Sequence, residues 1–427
     1  SNIIQGNGGN ILVKASELVN MSGYNPLELE NFSRGSSPLP GASTGFYTIA
    51  EAGSTGNSGS IEVNTKDLTI ADGAVITAQT FNNNDGGSIT IQANSLTAID
   101  GGQILSNTAA GGNSGQIIVN LVGNIAIAGN DTNFSERLEL FEPEAIVNAG
   151  AASGIFANTD VDSTGNGGEI LLTGNNFSLE ESALISAQSE GTGNAGNLDL
   201  RLQNEVSIVD SKIVTAATSA AGGRINLSGK NIRLAENADI STNVINGIEG
   251  GGDINFTADS IIAFDDSDIF AFARDGRGGN ITLDTPAFFA ESFTLNSLTS
   301  NPESLNNNDR ADVNATGAVS GAVTIPDVSF IQNSLNDLPD NSIYTNELVA
   351  NSCVAPVGNR QQGRFIITGG DSLPVRPGNA DISNFSTGKV RNVPQDNSWQ
   401  PGEPIVEPQG VYRLADGKLI LSRECNR

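Results

Sequence analysis

The sequence predicts an all-β chain built around a right-handed parallel β-helix, a β-solenoid with about 28 residues and three strands per coil. Three observations predict it: a glycine-led apolar motif that recurs at a regular interval, two further apolar columns in phase with it, and a composition poor in bulky side chains. The chain has 427 residues, including 50 glycines and 50 asparagines, and only 5% of its residues are aromatic. This composition suits narrow layers of small β-branched residues better than a wide conventional core.

The recurring motif has a glycine, one polar residue and then alternating apolar positions, as in residues 59–63 (Gly-Ser-Ile-Glu-Val) and 87–91 (Gly-Ser-Ile-Thr-Ile). Further copies begin at the glycines at positions 9, 115, 168, 196, 223, 252 and 279, and a weaker copy begins at 321. Ordinary intervals between the first nine copies are 27–29 residues, and two enlarged intervals are 50 and 53 residues. We expect roughly eleven coils, which would form a rod about 50 Å long.

Two more apolar columns run in phase with the motif. The second column holds Leu18, Leu68, Leu96, Ile125, Phe177, Val206, Ile232 and Ile261. The third column holds Phe46, Ile76, Ile104, Ile155, Ile185, Ile213, Ile240 and Ile269. Apolar residues alternate with polar ones around each column position, which is typical of short strands. Successive coils should stack the same position about 4.8 Å apart, with aliphatic ladders inside and asparagine ladders at the turns.

Both enlarged intervals contain an insertion at the same corner of the coil, between the second and third columns. The insertions, residues 24–43 and 131–152, should lie three coils apart, or about 14 Å along the axis. They are locally enriched in apolar and aromatic side chains: Tyr24, Phe32, Phe134, Leu138 and Phe141. One interpretation is that the insertions fold back over a strand edge or over each other. The other is that these five side chains form a binding ridge.

Charge and proline content divide the chain. Residues 1–352 hold 12 basic and 41 acidic side chains, whereas residues 353–427 hold 9 basic and 7 acidic ones. Nine of the fifteen prolines lie from position 326 onward, and proline interrupts strand ladders. We therefore predict a solenoid over 1–325, a connector over 326–352 and a small β module over 353–427.

The C-terminal module contains the only two cysteines of the chain, Cys353 and Cys425. An even count permits one disulfide, which would close nearly the whole module and stabilise it by roughly 4 kcal/mol in the loop-entropy model. The alternative is two unrelated buried thiols. The Asp-Gly pair at 416–417 predicts a hairpin at the end of the module.

Composition also limits the chemistry. The chain has no histidine, which excludes Ser-His-Asp triads, Cys-His dyads and histidine metal sites. Its net charge of −27 argues against nucleic acid and anionic membranes as partners, and no apolar run is long enough to span a bilayer. Asp266 and Asp268 share a strand face, so they are candidate ligands for adventitious Ca²⁺ or a candidate acid pair, and Asp160 and Asp162 form a weaker pair. Aspartate is common at the turns of this chain, so we predict no enzyme activity and no required cofactor.

Several motifs resemble one known family. They include residues 153–159 (Ser-Gly-Ile-Phe-Ala-Asn-Thr), 351–353 (Asn-Ser-Cys), 369–374 (Gly-Gly-Asp-Ser-Leu-Pro) and 421–425 (Leu-Ser-Arg-Glu-Cys), besides the Gly-Asn-Gly-Gly-x-Ile coils. Together they resemble the large cyanobacterial exoproteins of the filamentous haemagglutinin-like, two-partner-secretion family. The resemblance implies a right-handed parallel β-helix that an outer-membrane partner transporter exports. The family's N-terminal Asn-Pro-Asn-Gly secretion domain is missing from this sequence, so we expect the C-terminal portion of a longer protein.

These observations lead to one predicted function. We expect a secreted or cell-surface rod, adhesin-like or structural, that mediates attachment, aggregation or surface-fibre formation without catalysis. Its partners would be the transporter and either a glycan or other cell-surface ligand, or further copies of itself in a fibre. The alternative is a β-helix enzyme that binds or degrades polysaccharide through surface carboxylates.

Overall fold

The computed structural model describes residues 6–24, 43–141, 146–290, 293–295, 302–326, 349–354, 363–366, 386–392, 410–413 and 416–424. The chain divides into two compact units, Ser1–Ser329 and Phe330–Arg427. In the first unit, the described chain winds as a parallel β-solenoid, and we call each full turn of three strands a coil. Helix is almost absent from the described residues, which confirms the predicted all-β class.

The first four coils contain twelve strands and one helix. In chain order they are β1 (Ile11–Lys14), β2 (Leu18–Ser22), β3 (Gly45–Tyr47), β4 (Ile61–Asn64), β5 (Asp67–Ala71), β6 (Val75–Thr77), β7 (Ile89–Ala93), β8 (Ser95–Ile99), β9 (Gln103–Leu105), β10 (Ile117–Leu121), β11 (Ile125–Ala128), α1 (Phe134–Phe141) and β12 (Gly154–Phe156).

The next four coils are more regular. They contain β13 (Ile170–Gly174), β14 (Phe177–Glu180), β15 (Leu184–Ser186), β16 (Leu198–Leu202), β17 (Glu205–Val209), β18 (Lys212–Val214), β19 (Ile225–Ser228), β20 (Asn231–Ala235), β21 (Asp239–Ser241), β22 (Ile254–Thr257), β23 (Ser260–Ala263), β24 (Ile269–Phe270) and the added strand β25 (Ala273–Arg277).

The last described part of the solenoid is less regular. It comprises β26 (Ile281–Asp284), β27 (Phe288–Ala290), β28 (Thr294–Leu295), a 3₁₀ turn (Pro302–Leu305), β29 (Asp312–Asn314), β30 (Gly317–Val319) and β31 (Val323–Thr324).

Three parallel sheets of ten, nine and ten strands form the walls of the solenoid, and each sheet takes one strand from each coil over most of its length. Ile61 pairs with Ile89 and Ile89 with Ile117, so the 28-residue repeat is the coil period. The predicted estimate of roughly eleven coils therefore exceeds the nine or ten strands described in each sheet.

The apolar columns have the predicted register, with one correction. The third column continues from Phe46 at one end to Val313 at the other, through the parallel pairs of the third sheet. In the second column Val19, not Leu18, pairs with Leu68, and Leu18 is 56% exposed. Leu18 and Val19 are adjacent and both apolar, so the alternation of apolar and polar residues fits either of them pointing inward. Only the pairing with the next coil shows which one does.

The interior is one continuous hydrophobic core of aliphatic ladders, with phenylalanine at a few positions. At one turn, a predicted side-chain ladder is also present: the Asn113 Oδ1 accepts from the Asn166 backbone N–H at 2.9 Å, and the Asn166 Oδ1 accepts from Asn194 N–H at 2.8 Å. These bonds satisfy turn amides that no strand partner reaches.

The glycine that opens each motif is required because the coils approach most closely there. A Cβ built at Gly223 would lie within 3.0 Å of the carbonyl oxygen and carbon of Gly196 in the preceding coil. At Gly9, in the first described coil, the same Cβ would meet nothing within 4 Å. The backbones of neighbouring coils are therefore in direct contact at this column, and a side chain there would push the coils apart.

Replacing Gly223 by alanine should therefore lower the free energy of unfolding by about 1–3 kcal/mol. We expect a value near the upper end, because the added methyl group meets backbone atoms, which cannot rotate out of its way. Gly9→Ala is the matched control, because it makes the same change in the same column with open space around it. Urea unfolding followed by circular dichroism compares the two. Equal losses of stability in both variants would contradict the close-packed column.

Insertions interrupt three coils, all at the corner between the second and third sheets. The first lies between β2 and β3, the second between β11 and β12, and the third between β27 and β29. The first two were predicted, at the predicted corner and three coils apart. The third, residues 291–311, was missed, although the 42 residues between Gly279 and Gly321 already exceed one coil period.

The second unit contains a five-stranded sheet. Its strands are β32 (Val349–Val354), β33 (Gly363–Ile366), β34 (Ser386–Asn392), β35 (Gly410–Arg413) and β36 (Leu419–Glu424). The sheet order is β32-β36-β35-β34-β33, with β35 and β36 antiparallel. The predicted terminal hairpin is therefore confirmed. Cys353 and Cys425, the predicted disulfide partners, lie outside the residues whose side chains the structure describes.

Candidate functional site

The second insertion begins with a tight turn that starts helix α1. The Asp131 Oδ1 accepts a hydrogen bond from the Asn133 backbone N–H at 2.9 Å, and the Asp131 carbonyl accepts one from Phe134 N–H at 3.2 Å. These bonds satisfy amide groups before the helical ladder begins, so the sequence Asp-Thr-Asn-Phe ends the coil path and starts the helix.

Arg137 fixes this helix to the solenoid and to the edges of the first insertion. Its guanidinium is fully buried, forms an ion pair with Asp131, and donates to the Ser43 hydroxyl and to the Asn148 Oδ1, the last at 2.9 Å. It also lies 5.3 Å from the centroid of the Tyr24 ring. Because Tyr24 and Ser43 flank the first insertion, the second insertion reaches back over three coils. We call this group of contacts the arginine clasp.

After the helix, residues 146–152 lie along the outer face of the third sheet. The Gln79 side-chain amide donates to the Val147 carbonyl at 3.0 Å. The Gln103 side chain accepts from Ala149 N–H at 2.8 Å and donates to the Ala152 carbonyl at 2.7 Å. Two glutamines of successive coils thus supply the hydrogen bonds that a neighbouring strand would otherwise supply.

An apolar patch holds the same segment. Val147 packs against Val75, Leu105 and Phe156, which point outward from the third sheet and are nevertheless buried. Without the insertion these outward positions would be exposed to solvent. The insertion therefore has a second hydrophobic core of its own, outside the solenoid interior.

A groove of about 400 Å³ lies beside residues 146–149. Its other wall is formed by the turns that follow the third-sheet strands of coils two to five. Its apolar lining includes Phe81, which is 39% exposed, together with Phe156 and Leu184. Its lining contains two acidic residues, Asp160 and Glu190, and no basic residue among those that the structure describes. Concave shape, an exposed aromatic ring and a few polar groups are features of ligand sites.

One side of the groove is a column of amide side chains, which we call the amide column. It consists of Gln79, Asn107, Asn158 and Gln188, each directly before a residue that pairs with the next coil. The Asn107 Oδ1 accepts from Asn158 N–H at 2.9 Å, and the Asn158 Oδ1 accepts from Gln188 N–H at 2.8 Å. Since the oxygens face the next coil, the NH₂ groups of the two asparagines are the donors left for a ligand.

Sequence reasoning placed the candidate site on different residues. Of the proposed ridge, Phe141 is buried and stacks edge-on against Tyr24 at 6.0 Å, and Phe134 lies 6.0 Å from the Arg137 guanidinium. Leu138 is half-buried on the same helix. Phe32 lies outside the described residues. In its described residues, the second insertion folds back over the third sheet, as the other predicted interpretation expected for the insertions.

The groove was missed, although the sequence carried a signal for it. The triplets Ala-Gln-Thr (78–80), Ser-Asn-Thr (106–108), Ala-Asn-Thr (157–159) and Ala-Gln-Ser (187–189) place an amide at the same phase of four consecutive coils. A repeated polar residue at a half-exposed column position has no role in the core. What the sequence did not show was that the second insertion would form the opposite wall.

The aspartates at 266 and 268, predicted as candidate calcium ligands, have structural partners. The Asp266 carboxylate accepts from the backbone N–H groups of Asn307 and Asn308, the latter at 2.7 Å. The Asp268 Oδ1 accepts from the Asp312 N–H at 2.8 Å. The Asp266 and Asp268 carboxyl groups thereby hold the third insertion and the start of β29 to the preceding coil through backbone hydrogen bonds.

Asp268 lies within a column of carboxylates, with Asp239 before it and Asp312 after it. Lys212 pairs with Asp239 at 2.7 Å, and Arg310 approaches Asp312 at 3.6 Å. Burial, followed by the charges of Asp239, Asp266 and Asp312, raises the pKa of Asp268 to about 8, against the lowering effect of the Asp312 amide. At neutral pH this carboxyl is therefore mainly protonated.

In the described parts of the chain, no group of three or more Asp, Glu, Cys or His side chains is arranged to hold a metal ion. The described helix is too short and too polar to cross a membrane.

The chain was also compared with known proteins. No family model, no curated protein and no solved structure matched it.

Proposed function

We propose that the chain is a non-catalytic adhesive rod, secreted or displayed at the cell surface, that binds an extended glycan in the groove beside the second insertion. The groove supports this proposal most directly. It combines an exposed phenylalanine, half-exposed amides and two carboxylates, the groups that stack on sugar rings and hydrogen-bond to hydroxyls. The solenoid would act as a rigid spacer that carries the groove.

Substitution of Phe81 tests the adhesive function. Phe81→Ala removes the exposed ring from the groove and should weaken glycan binding about tenfold, as the loss of one stacked ring would. Phe289→Ala is the matched control, because Phe289 is 40% exposed on β27, away from the groove lining. A glycan array of bacterial and plant polysaccharides, followed by calorimetry on the best ligand, gives the measurement. No glycan binding by the unsubstituted chain, or equal losses in both variants, would contradict the proposal.

A polysaccharide-degrading enzyme is the second candidate. Thr159 pairs with Ser189 in the next coil, so the residues that follow them, Asp160 and Glu190, are stacked neighbours at the groove rim. Two carboxylates about one strand spacing apart are a minimal glycosidase arrangement. We favour binding over hydrolysis, because both side chains are exposed to solvent. Release of new reducing ends that Asp160→Asn and Glu190→Gln abolish would establish the enzyme instead.

A fibre-forming role is the alternative within the same proposal, in which the rod is a structural subunit and not an adhesin. The first described coil exposes Leu12 and Leu18 at 57% and 56%, and these apolar side chains would pack against another copy in a fibre. Electron microscopy of native surface material distinguishes the forms: continuous filaments indicate a fibre subunit, and separate rods indicate an adhesin.

The family resemblance supplies the remaining parts of the proposal. We infer a filamentous haemagglutinin-like exoprotein of cyanobacterial type, with a right-handed coil, exported by an outer-membrane two-partner-secretion transporter. We also infer that Cys353 and Cys425 form a disulfide that closes the C-terminal module. Mass spectrometry of non-reduced peptides tests the disulfide, and two free thiols in the secreted protein would contradict it.

A further inference from the structure

We propose that the groove binds a neutral, unbranched pyranose chain that lies parallel to the rod axis, with one sugar unit for each coil. This inference rests on the proposed glycan binding and specifies the class and direction of the ligand. Two features carry it: the periodic amide column and the charge of the groove rim.

The amide column repeats with the coil, so its members are about 4.8 Å apart along the axis. Asn107, Asn158 and Gln188 are half-exposed, whereas Gln79 is buried and bonded to Val147. Three half-exposed positions are therefore available to a ligand, and at Gln188 one of the two Nε2 hydrogens is used in a bond to the Ser186 hydroxyl at 3.0 Å. An extended pyranose chain advances by roughly one strand spacing per sugar, so each sugar can meet one amide, although neighbouring rings are turned relative to each other. A chain running across the axis would meet one coil only.

The groove has a defined end. The residue that follows Gln188 in the column is Ala216, which precedes Ala217, the partner of Ser189. Alanine has no polar side-chain group, so the run of half-exposed amides ends after the fifth coil; the next amide at this phase, Asn243 in the seventh coil, is buried. Because coil six already tolerates alanine at this half-exposed position, Gln188→Ala should preserve the fold. Conversely, Ala216→Gln should add one amide to the column.

The two carboxylates at the rim of the groove favour an uncharged ligand. Asp160 and Glu190 are exposed where the groove opens, and the described lining provides no cation to offset them. Their carboxylates can accept hydrogen bonds from sugar hydroxyls but repel uronic acids, sulfates and phosphates. The chain's net charge of −27 adds to this repulsion at low salt. A neutral polymer is the ligand that fits.

Calorimetry with neutral gluco-, galacto- and manno-oligosaccharides of one to six units tests the periodic site. For the best-binding series, affinity should rise about fivefold per added sugar, the effect of about one net hydrogen bond, and stop rising at three sugars. In Gln188→Ala the rise should stop at two sugars, and in Ala216→Gln it should stop at four. A rise that stops at the same length in all three proteins would overturn the inference.

Charge is tested with oligogalacturonides as the anionic probe. We expect at least tenfold weaker binding than to the neutral series, and the Asp160→Asn, Glu190→Gln double variant should reduce that difference. Equal binding of anionic and neutral probes would overturn the inference and leave the glycan-binding function standing. Binding of neither probe, nor of any glycan on the array, would overturn both.

Discussion

Replacing Arg137 by leucine is expected to release the second insertion from the solenoid at a cost of about 3–5 kcal/mol, because it leaves the buried Asp131 carboxylate without its cation. The variant also loses the hydrogen bonds to Ser43 and Asn148. The core ladders lie elsewhere, so the sheets should remain folded. Hydrogen exchange measures the effect, and we expect faster exchange of the amides of α1 and of residues 146–152 with no change in the sheets.

Two controls separate the clasp from charge in general. Arg201→Ala removes an exposed arginine whose partner, Asp199, lies on the same strand, and it should change stability by less than about 1 kcal/mol. The double variant Asp131→Asn, Arg137→Leu removes the buried charge as well and should recover part of the loss. Unchanged protection of α1 in Arg137→Leu would show that the apolar contacts alone hold the insertion.

Replacing Asp268 by asparagine is expected to make the protein more stable than the unsubstituted chain at high pH. Its folded pKa, about 8, lies above the ordinary 3.8, so folded protein keeps a proton that unfolded protein releases. The contribution of protonated Asp268 to the free energy of unfolding is therefore fully present below about pH 4. It falls as the pH rises towards 8, by at most about 1.4 kcal/mol per pH unit. Asparagine resembles the protonated acid, keeps an acceptor for Asp312 N–H, and does not titrate.

The comparison is a pH series of unfolding measurements from pH 5 to pH 9. The stability of Asp268→Asn relative to the unsubstituted chain should increase with pH up to about pH 8 and then level off. Asp265→Asn, which changes an exposed carboxyl of the same turn, is the matched control. A constant difference for Asp268→Asn would mean that Asp268 is already ionised in the folded protein.

Much of the solenoid could be predicted because each coil repeats the same physical constraint. The glycine column marks the closest approach of coils, and isoleucines such as Ile61 and Ile89 mark the inward positions. The error at Leu18 arose where Leu18 and Val19 are adjacent, since alternation alone cannot set the phase of two neighbouring apolar residues.

The candidate site was harder to predict because it depends on long-range packing. Phe134 and Phe141 were conspicuous in a chain with few aromatic residues, yet they pack around Arg137 and Tyr24. The residues that line the groove, such as Asn107 and Gln188, are unremarkable in an asparagine-rich sequence. They acquire significance only because Val147 and its neighbours form a wall opposite them.

The most direct test of the account is a crystal structure of the chain with the neutral oligosaccharide that binds best. We predict sugar rings in the groove beside Phe81, one per coil, along Asn107, Asn158 and Gln188. Sugar bound on another face of the rod, or lying across the axis at a single coil, would contradict it.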